Sequence, residues 1–170
     1  MKRLLFSILL IILLITISGC GLFNLDGWVI PDDTEFLALI QELDTPQKIG
    51  EYMKENFTYE IHDYYAPDPY TLYLIKKGDC NDFSTFGTFI AEYHGYETFQ
   101  IKIFDNTLYQ HYVAVYDEDI WYSITDCQNY YFGFDNFKEI VEYVCHIRLK
   151  TWTEYIVYDY WNNIIEQVTK

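Results

Sequence analysis

The sequence predicts an α+β domain in which helices come first and antiparallel strands follow. Three observations carry this. Apolar residues recur at three and four over residues 35–43 and again over residues 80–93. Three runs between residues 98 and 125 alternate apolar with polar, as half-buried strands do. The triplet Asp117-Glu118-Asp119 joins the second run to the third as a tight hairpin turn. Helices segregated from antiparallel strands make the α+β class.

The elements follow in order. Asp33-Thr34 supplies a polar N-cap for a helix over residues 35–43, with Phe36, Leu37, Ile40 and Leu43 on one face. Thr45 caps a second helix with Pro46 at its first position and Ile49, Tyr52 and Met53 turned inward. Residues 57–64 read as extended, and Ala66-Pro67-Asp68-Pro69 reads as a loop. Residues 71–75 are short and apolar, and Lys76-Lys77-Gly78-Asp79 breaks them. From Cys80 the pattern is helical through Phe83, Phe86, Phe89, Ile90 and Tyr93, and His94-Gly95 closes the helix. Strands are expected at residues 98–104, 110–116 and 120–125. A helix is expected over residues 134–145 through Phe137, Ile140, Val141 and Val144. The remainder reads as a strand followed by a helix.

The first 20 residues carry a different signal. Lys2 and Arg3 precede an almost unbroken apolar stretch from Leu4 to Ile17, followed by small residues. The stretch is shorter than the roughly 20 residues that span a bilayer with ease. Its ending, Ile17-Ser18-Gly19-Cys20, resembles a bacterial lipobox. The resemblance implies a lipoprotein signal peptide over residues 1–19 and a membrane anchor of acyl chains on Cys20, with residues 20–31 as tether. The domain proper is then residues 32–170, outside the cytoplasm, where disulfides can form. The absence of Asp at position 21 favours an outer membrane by analogy if two membranes are present.

Charge narrows the partners. The 170 residues hold 26 Asp+Glu against 11 Lys+Arg, a net charge of −15. Loss of Lys2 and Arg3 with the leader takes this to −17. Such a surface repels phosphates, which excludes nucleic acid and electrostatic docking to acidic lipid. The 18 Tyr, 12 Phe and 4 Trp suit strands, and secondarily a peptide or sugar groove.

Four cysteines divide by context. Cys80 opens a helix just after Gly78-Asp79, where free N–H groups and the helix dipole favour a thiolate. A nearby imidazole can hold the proton as general base, and a carboxylate can orient that imidazole. His111 near the start of the second strand and Asp126 at the end of the third are the candidates. In an antiparallel hairpin these two ends adjoin. His111 shares parity with Val113 and Val115, and Asp126 shares a face with Tyr122 and Ile124. If the Cys80 helix packs on that face, all three converge. Asp79 and Asp82 read as caps. His62, His94 and His146 have no partners at metal-ligand spacing and read as surface or capping groups, so no metal or other cofactor is expected. Cys127 and Cys145 form either a disulfide or two separate buried thiols.

The stretches Lys77-Gly78-Asp79-Cys80-Asn81-Asp82-Phe83-Ser84, Tyr93-His94-Gly95-Tyr96, Gln110-His111-Tyr112-Val113-Ala114-Val115 and Trp121-Tyr122-Ser123-Ile124-Thr125-Asp126 resemble the transglutaminase-like superfamily. The group is papain-like and includes bacterial transglutaminase-like cysteine peptidases. The resemblance spans roughly residues 45–145. It implies a nucleophile-bearing helix packed on an antiparallel sheet, with Cys80 as nucleophile, His111 as base and Asp126 as orienter. Two places depart from the pattern. Trp121 stands one residue before the position where the family often has Trp, and Cys127 replaces the Pro that often follows the Asp. The backbone N–H of Cys80 is one oxyanion donor. The second is unassigned, with Tyr59 and Tyr73 as upstream candidates.

The expected function is acyl transfer through a Cys80 thioester, with water as acceptor and a peptide or protein of the cell envelope as substrate. An amine-accepting transglutaminase and a non-catalytic binding module are the alternatives.

Overall fold

The computed structural model describes residues 24–25, 28–29, 31–62, 67–107 and 110–170. The export segment and Cys20 lie outside the described residues. Among those described, no helix is long and apolar enough to cross a membrane. Residues 1–30 and 31–170 form separate units. In the first, β1 (Asn24–Leu25) pairs antiparallel with β2 (Trp28–Val29).

The second unit opens with helices whose starts are set by side-chain caps. Asp33 accepts from the N–H groups of Glu35 and Phe36, at 2.9 and 3.0 Å, and starts α1 (Thr34–Glu42). Thr45 accepts from the Lys48 N–H at 3.3 Å and starts α2 (Pro46–Asn56). The expected loop before residue 70 is shorter than predicted. Asp68 accepts from the Thr71 N–H at 3.0 Å, and Pro69 takes the first position of α3 (Pro69–Ile75). The signal is the one that starts α2, a polar cap followed by Pro. Lys76 ends α3 in the left-handed conformation, φ 57°.

Of the predicted extended stretch after α2, only β3 (Thr58–Tyr59) is a strand. It pairs in parallel with β4 (Lys77–Gly78), so the residues just before Cys80 are tied to those just after α2. Next comes α4 (Cys80–Tyr93), with Phe83, Phe86, Phe89 and Ile90 buried and Gly95 past its end at φ +84°.

The main sheet has six antiparallel strands in the order β10-β9-β5-β6-β7-β8. β5 (Thr98–Asp105) and β6 (Gln110–Asp117) fall where the alternation predicts them, and β7 (Tyr122–Asp126) starts two residues later than expected because the turn after Asp117 runs on through Trp121, whose carbonyl accepts from the Glu118 N–H at 3.0 Å. β8 (Asn129–Phe134) was not read from the sequence. The two-residue turn before it, Cys127-Gln128, holds Cys127 at φ 54°, where Gly or Asn is the usual residue. The next helix, α5 (Phe137–Ile147), starts later than expected because Asn136, accepting from the Glu139 N–H at 3.0 Å, is its cap.

The predicted C-terminal helix is instead a strand. β9 (Trp152–Asp159) and β10 (Ile164–Thr169) form a hairpin. Its turn is held by Asp159, which accepts from the Asn163 N–H at 2.7 Å, and by Asn162 at φ 64°. Asp and Asn in a row are turn chemistry. The apolar residues of 164–168 therefore follow a strand period rather than a helical one.

Both faces of the sheet are covered. On one, α5 places Ile140, Val141 and Val144 against Ile101, Ile103, Val113, Val115 and Ile124. On the other, α4 packs on β6 and β7. Gly87 makes that approach possible, because a Cβ there would run into the Tyr116 hydroxyl and come to 3.5 Å of Ala114 Cβ.

Candidate active site

The nucleophile candidate is held by three local devices. First, β3 and β4 fix the backbone up to Gly78, with the Glu60 N–H donating to the Gly78 carbonyl at 2.8 Å. Second, Gly78 lets the helix start fold close. A Cβ there would lie 2.5 Å from Asp82 Oδ2 and 2.8 Å from Asp82 Cβ. Third, Asp79 and Asp82 form a capping box. Asp79 Oδ1 accepts from the Asn81 N–H at 2.9 Å, and Asp82 Oδ2 accepts from the Asp79 N–H at 2.7 Å. Cys80 is then the first helical residue, 7% exposed. The expected capping role of Asp79 and Asp82 is what the structure shows.

His111 and Asp126 come together as the hairpin argument requires. His111 Nε2 lies 2.7 Å from Asp126 Oδ1, and both side chains are buried. Their parity matches Val113, Val115 and Ile124, so they belong to the face that α5 covers. The expectation that the Cys80 helix packs on that same face is corrected: α4 lies on the opposite face, against Ala114, Tyr116 and Thr125. The link between Cys80 and the pair runs through β6. The backbone N–H of Tyr112, the residue after His111, acts directly on the Cys80 thiol.

Both Cys80 and Cys127 are shifted upward on balance, and they differ in what opposes burial. Burial pushes the Cys80 thiol up. The Tyr112 N–H opposes this, Asp79 adds to it, and Arg148 and the thiol's own N–H pull back down. Cys127 has no comparable backbone donor. Burial, then the Asp126 charge, push its thiol up to about 12. That shift disfavours a Cys127 thiolate, although its sulfur, a His111 nitrogen and an Asp126 oxygen all lie within 4.8 Å of one another. Cys127 and Cys145 are free thiols, so of the two alternatives drawn from the sequence the structure has the unbridged one. Cys145 faces the core from α5, whereas Cys127 sits in the β7–β8 turn beside Arg148.

Sequence reasoning missed two residues. Arg148, the C-cap residue of α5, reaches Asp126 with a fork: Nε to Oδ2 at 3.0 Å and Nη2 to Oδ1 at 2.6 Å. An Arg at a helix end ordinarily reads as complementing the dipole. His62, expected as a surface or capping group, has its side chain buried with Nε2 2.6 Å from Asp82 Oδ2. Burial pushes the Asp82 carboxyl up, with the Asp79 N–H and His62 opposing. His94 follows expectation more closely: it is the C-cap residue of α4, and its Nε2 donates to the Ile40 carbonyl at 2.7 Å. Neither upstream oxyanion candidate gains support. Tyr59 packs edge-on against Phe83, and Tyr73 packs on Phe36 and under Lys76.

Ligand-type atoms converge in two places among the described residues: His111, Asp126 and Cys127, and His62, Asp79 and Asp82. At the first, both Asp126 oxygens already accept from Arg148, whose guanidinium opposes a cation. At the second, the capping box and His62 already engage Asp79 Oδ1 and Asp82 Oδ2.

Solved structures share this architecture. Legionella pneumophila LapG, EGTA-treated, is 16% identical over 72% of this chain and 70% of that one, with a TM-score of 0.50. Its calcium-bound form is 16% identical over 72% of each chain, with a TM-score of 0.51. The fold is transglutaminase-like. Neither a protein-family model nor a curated protein matches the sequence.

Proposed function

We propose that the chain is a transglutaminase-like thiol enzyme that transfers acyl groups through a thioester on Cys80, with water as the acceptor. The buried His111–Asp126 pair, with His111 one residue before the Tyr112 whose N–H addresses the Cys80 thiol, carries this reading. Asp126 engages Nε2, so Nδ1 is the nitrogen that exchanges a proton with the thiol.

In the first half-reaction the Cys80 thiolate attacks the carbonyl carbon of an amide. The oxyanion that forms is met by the Cys80 backbone N–H. The His111 imidazolium gives its proton to the departing amine as the C–N bond breaks, leaving a thioester. In the second, water attacks the thioester, His111 takes its proton, and the acid departs as the C–S bond breaks. The thiolate–imidazolium pair is restored.

The lipobox-like ending at Cys20 supports an anchored, extracytoplasmic enzyme acting on peptides or proteins of the cell envelope. The likeness of the fold to LapG supports the same chemistry at the level of architecture. The test is intact-mass spectrometry of the protein incubated with an envelope-peptide mixture. Acyl adducts and cleaved amides are expected with wild type and not with Cys80→Ala. Identical product profiles from both proteins would reject the proposal.

A further inference from the structure

We propose that Arg148 is a positioning residue for Cys80 chemistry, its guanidinium fixing the Asp126 carboxylate in the orientation that receives His111 Nε2. The inference rests on the thiol-enzyme reading above and deepens it.

The geometry carries it. A carboxylate held by one imidazole can still turn about its own axis. Asp126 cannot, because Arg148 takes both oxygens, Nε on Oδ2 at 3.0 Å and Nη2 on Oδ1 at 2.6 Å. Oδ1 thus serves the imidazole and the guanidinium together. Only a planar fork makes this two-point contact; an ammonium makes one. Arg148 is itself anchored, its N–H donating to the Val144 carbonyl at 3.2 Å as α5 ends. The neighbouring cation does not substitute for it, since Lys150 pairs with Asp105 at 3.1 Å.

The charges facing Asp126 come from each packed element. His111 comes from β6, Arg148 follows α5, Cys127 shares the turn, and Tyr131 lies on β8. Cys80, at the start of α4, is coupled to Cys127 and to Arg148. Within this set Arg148 is the only fixed cation. It offsets the carboxylate that holds the imidazolium and favours the thiolate. The guanidinium thus favours the thiolate form of Cys80 while it fixes the carboxylate that holds the imidazole.

The experiment measures the rate of Cys80 alkylation by iodoacetamide from pH 5 to 9, with the site located by peptide mass spectrometry. Arg148→Gln is expected to slow alkylation about tenfold at pH 6.5 and to move the limb on which the Cys80 thiolate forms to higher pH. In an Asp126→Asn background the same change is expected to cost less than about twofold, because the group it acts through is gone. Arg148→Lys keeps the charge without the fork, so that limb stays in place while its rate falls several-fold. A folded Arg148→Gln protein with the wild-type profile, or an equal loss in both backgrounds, overturns the inference. Should Arg148→Gln not fold, Arg148→Lys at the wild-type rate overturns it and a several-fold slower one supports it. A wild-type Cys80 that titrates as an ordinary thiol defeats the thiol-enzyme reading and this one together, whereas reactive wild type with an unmoved Arg148→Gln defeats this one alone.

Discussion

His111 and Asp126 sit 2.7 Å apart near the ends of adjoining strands, buried beneath the helix that ends in Arg148. They lie 15 residues apart in sequence and are joined by a single hairpin. A fold that closes one hairpin correctly therefore assembles the pair without a long-range search.

Asp126 gives a signed pH prediction. Burial pushes its carboxyl up, but the hydrogen bonds and charges of His111 and Arg148 outweigh this and hold it below the usual range. A carboxyl whose folded pKa is depressed contributes stability that is fully present above its unfolded value, about 3.9. That contribution is lost as pH falls through the lower folded value. Urea unfolding of wild type and Asp126→Asn at a series of pH values should show the stability gap shrinking below about pH 4. A gap of constant size would contradict the assignment.

Gly87 gives a packing prediction. Its missing Cβ makes room for the Tyr116 hydroxyl, which lies 2.7 Å from Thr125 Oγ1 in a buried hydrogen bond between β6 and β7. Gly87→Ala should push α4 off the sheet or break that bond, at about 1–3 kcal/mol. Thermal unfolding measures it, and an unchanged or raised Tm would show that the helix has room.

Asp79 gives a prediction that joins stability to chemistry. As N-cap of α4 it satisfies two N–H groups beside Cys80. Asp79→Ala should cost about 0.5–2 kcal/mol of stability. It should also remove an anion that raises the Cys80 thiol. Alkylation of Cys80 in Asp79→Ala would then begin at lower pH than in wild type, despite the weaker fold. A shift to higher pH would show that loss of the cap outweighs loss of the charge.

The parts legible in the sequence are those with local causes. The caps Asp33, Thr45 and Asp79, the helical period from Cys80 to Tyr93 and the alternation of β5 to β7 each act within a few residues. Parity was read correctly for His111 and Asp126, but which helix covers their face depends on how α4 and α5 divide the sheet, and no local pattern encodes that. Arg148 was invisible for the same reason: 22 residues separate it from Asp126, and only tertiary packing brings them together. The last hairpin was lost to a different cause. The apolar residues between 156 and 168 fit either period, and the deciding signal was the Asp159 and Asn162 turn.

The measurement closest to the central claim is the rate at which a small electrophile labels Cys80 near pH 6.5 in wild type and in His111→Gln, with Cys127 and Cys145 as internal references. A general base contributes about 10²–10⁴-fold to such chemistry. Wild-type Cys80 should therefore outpace the other two thiols, and His111→Gln should lose at least tenfold of that rate. Equal labelling of Cys80 in the two proteins would contradict the account.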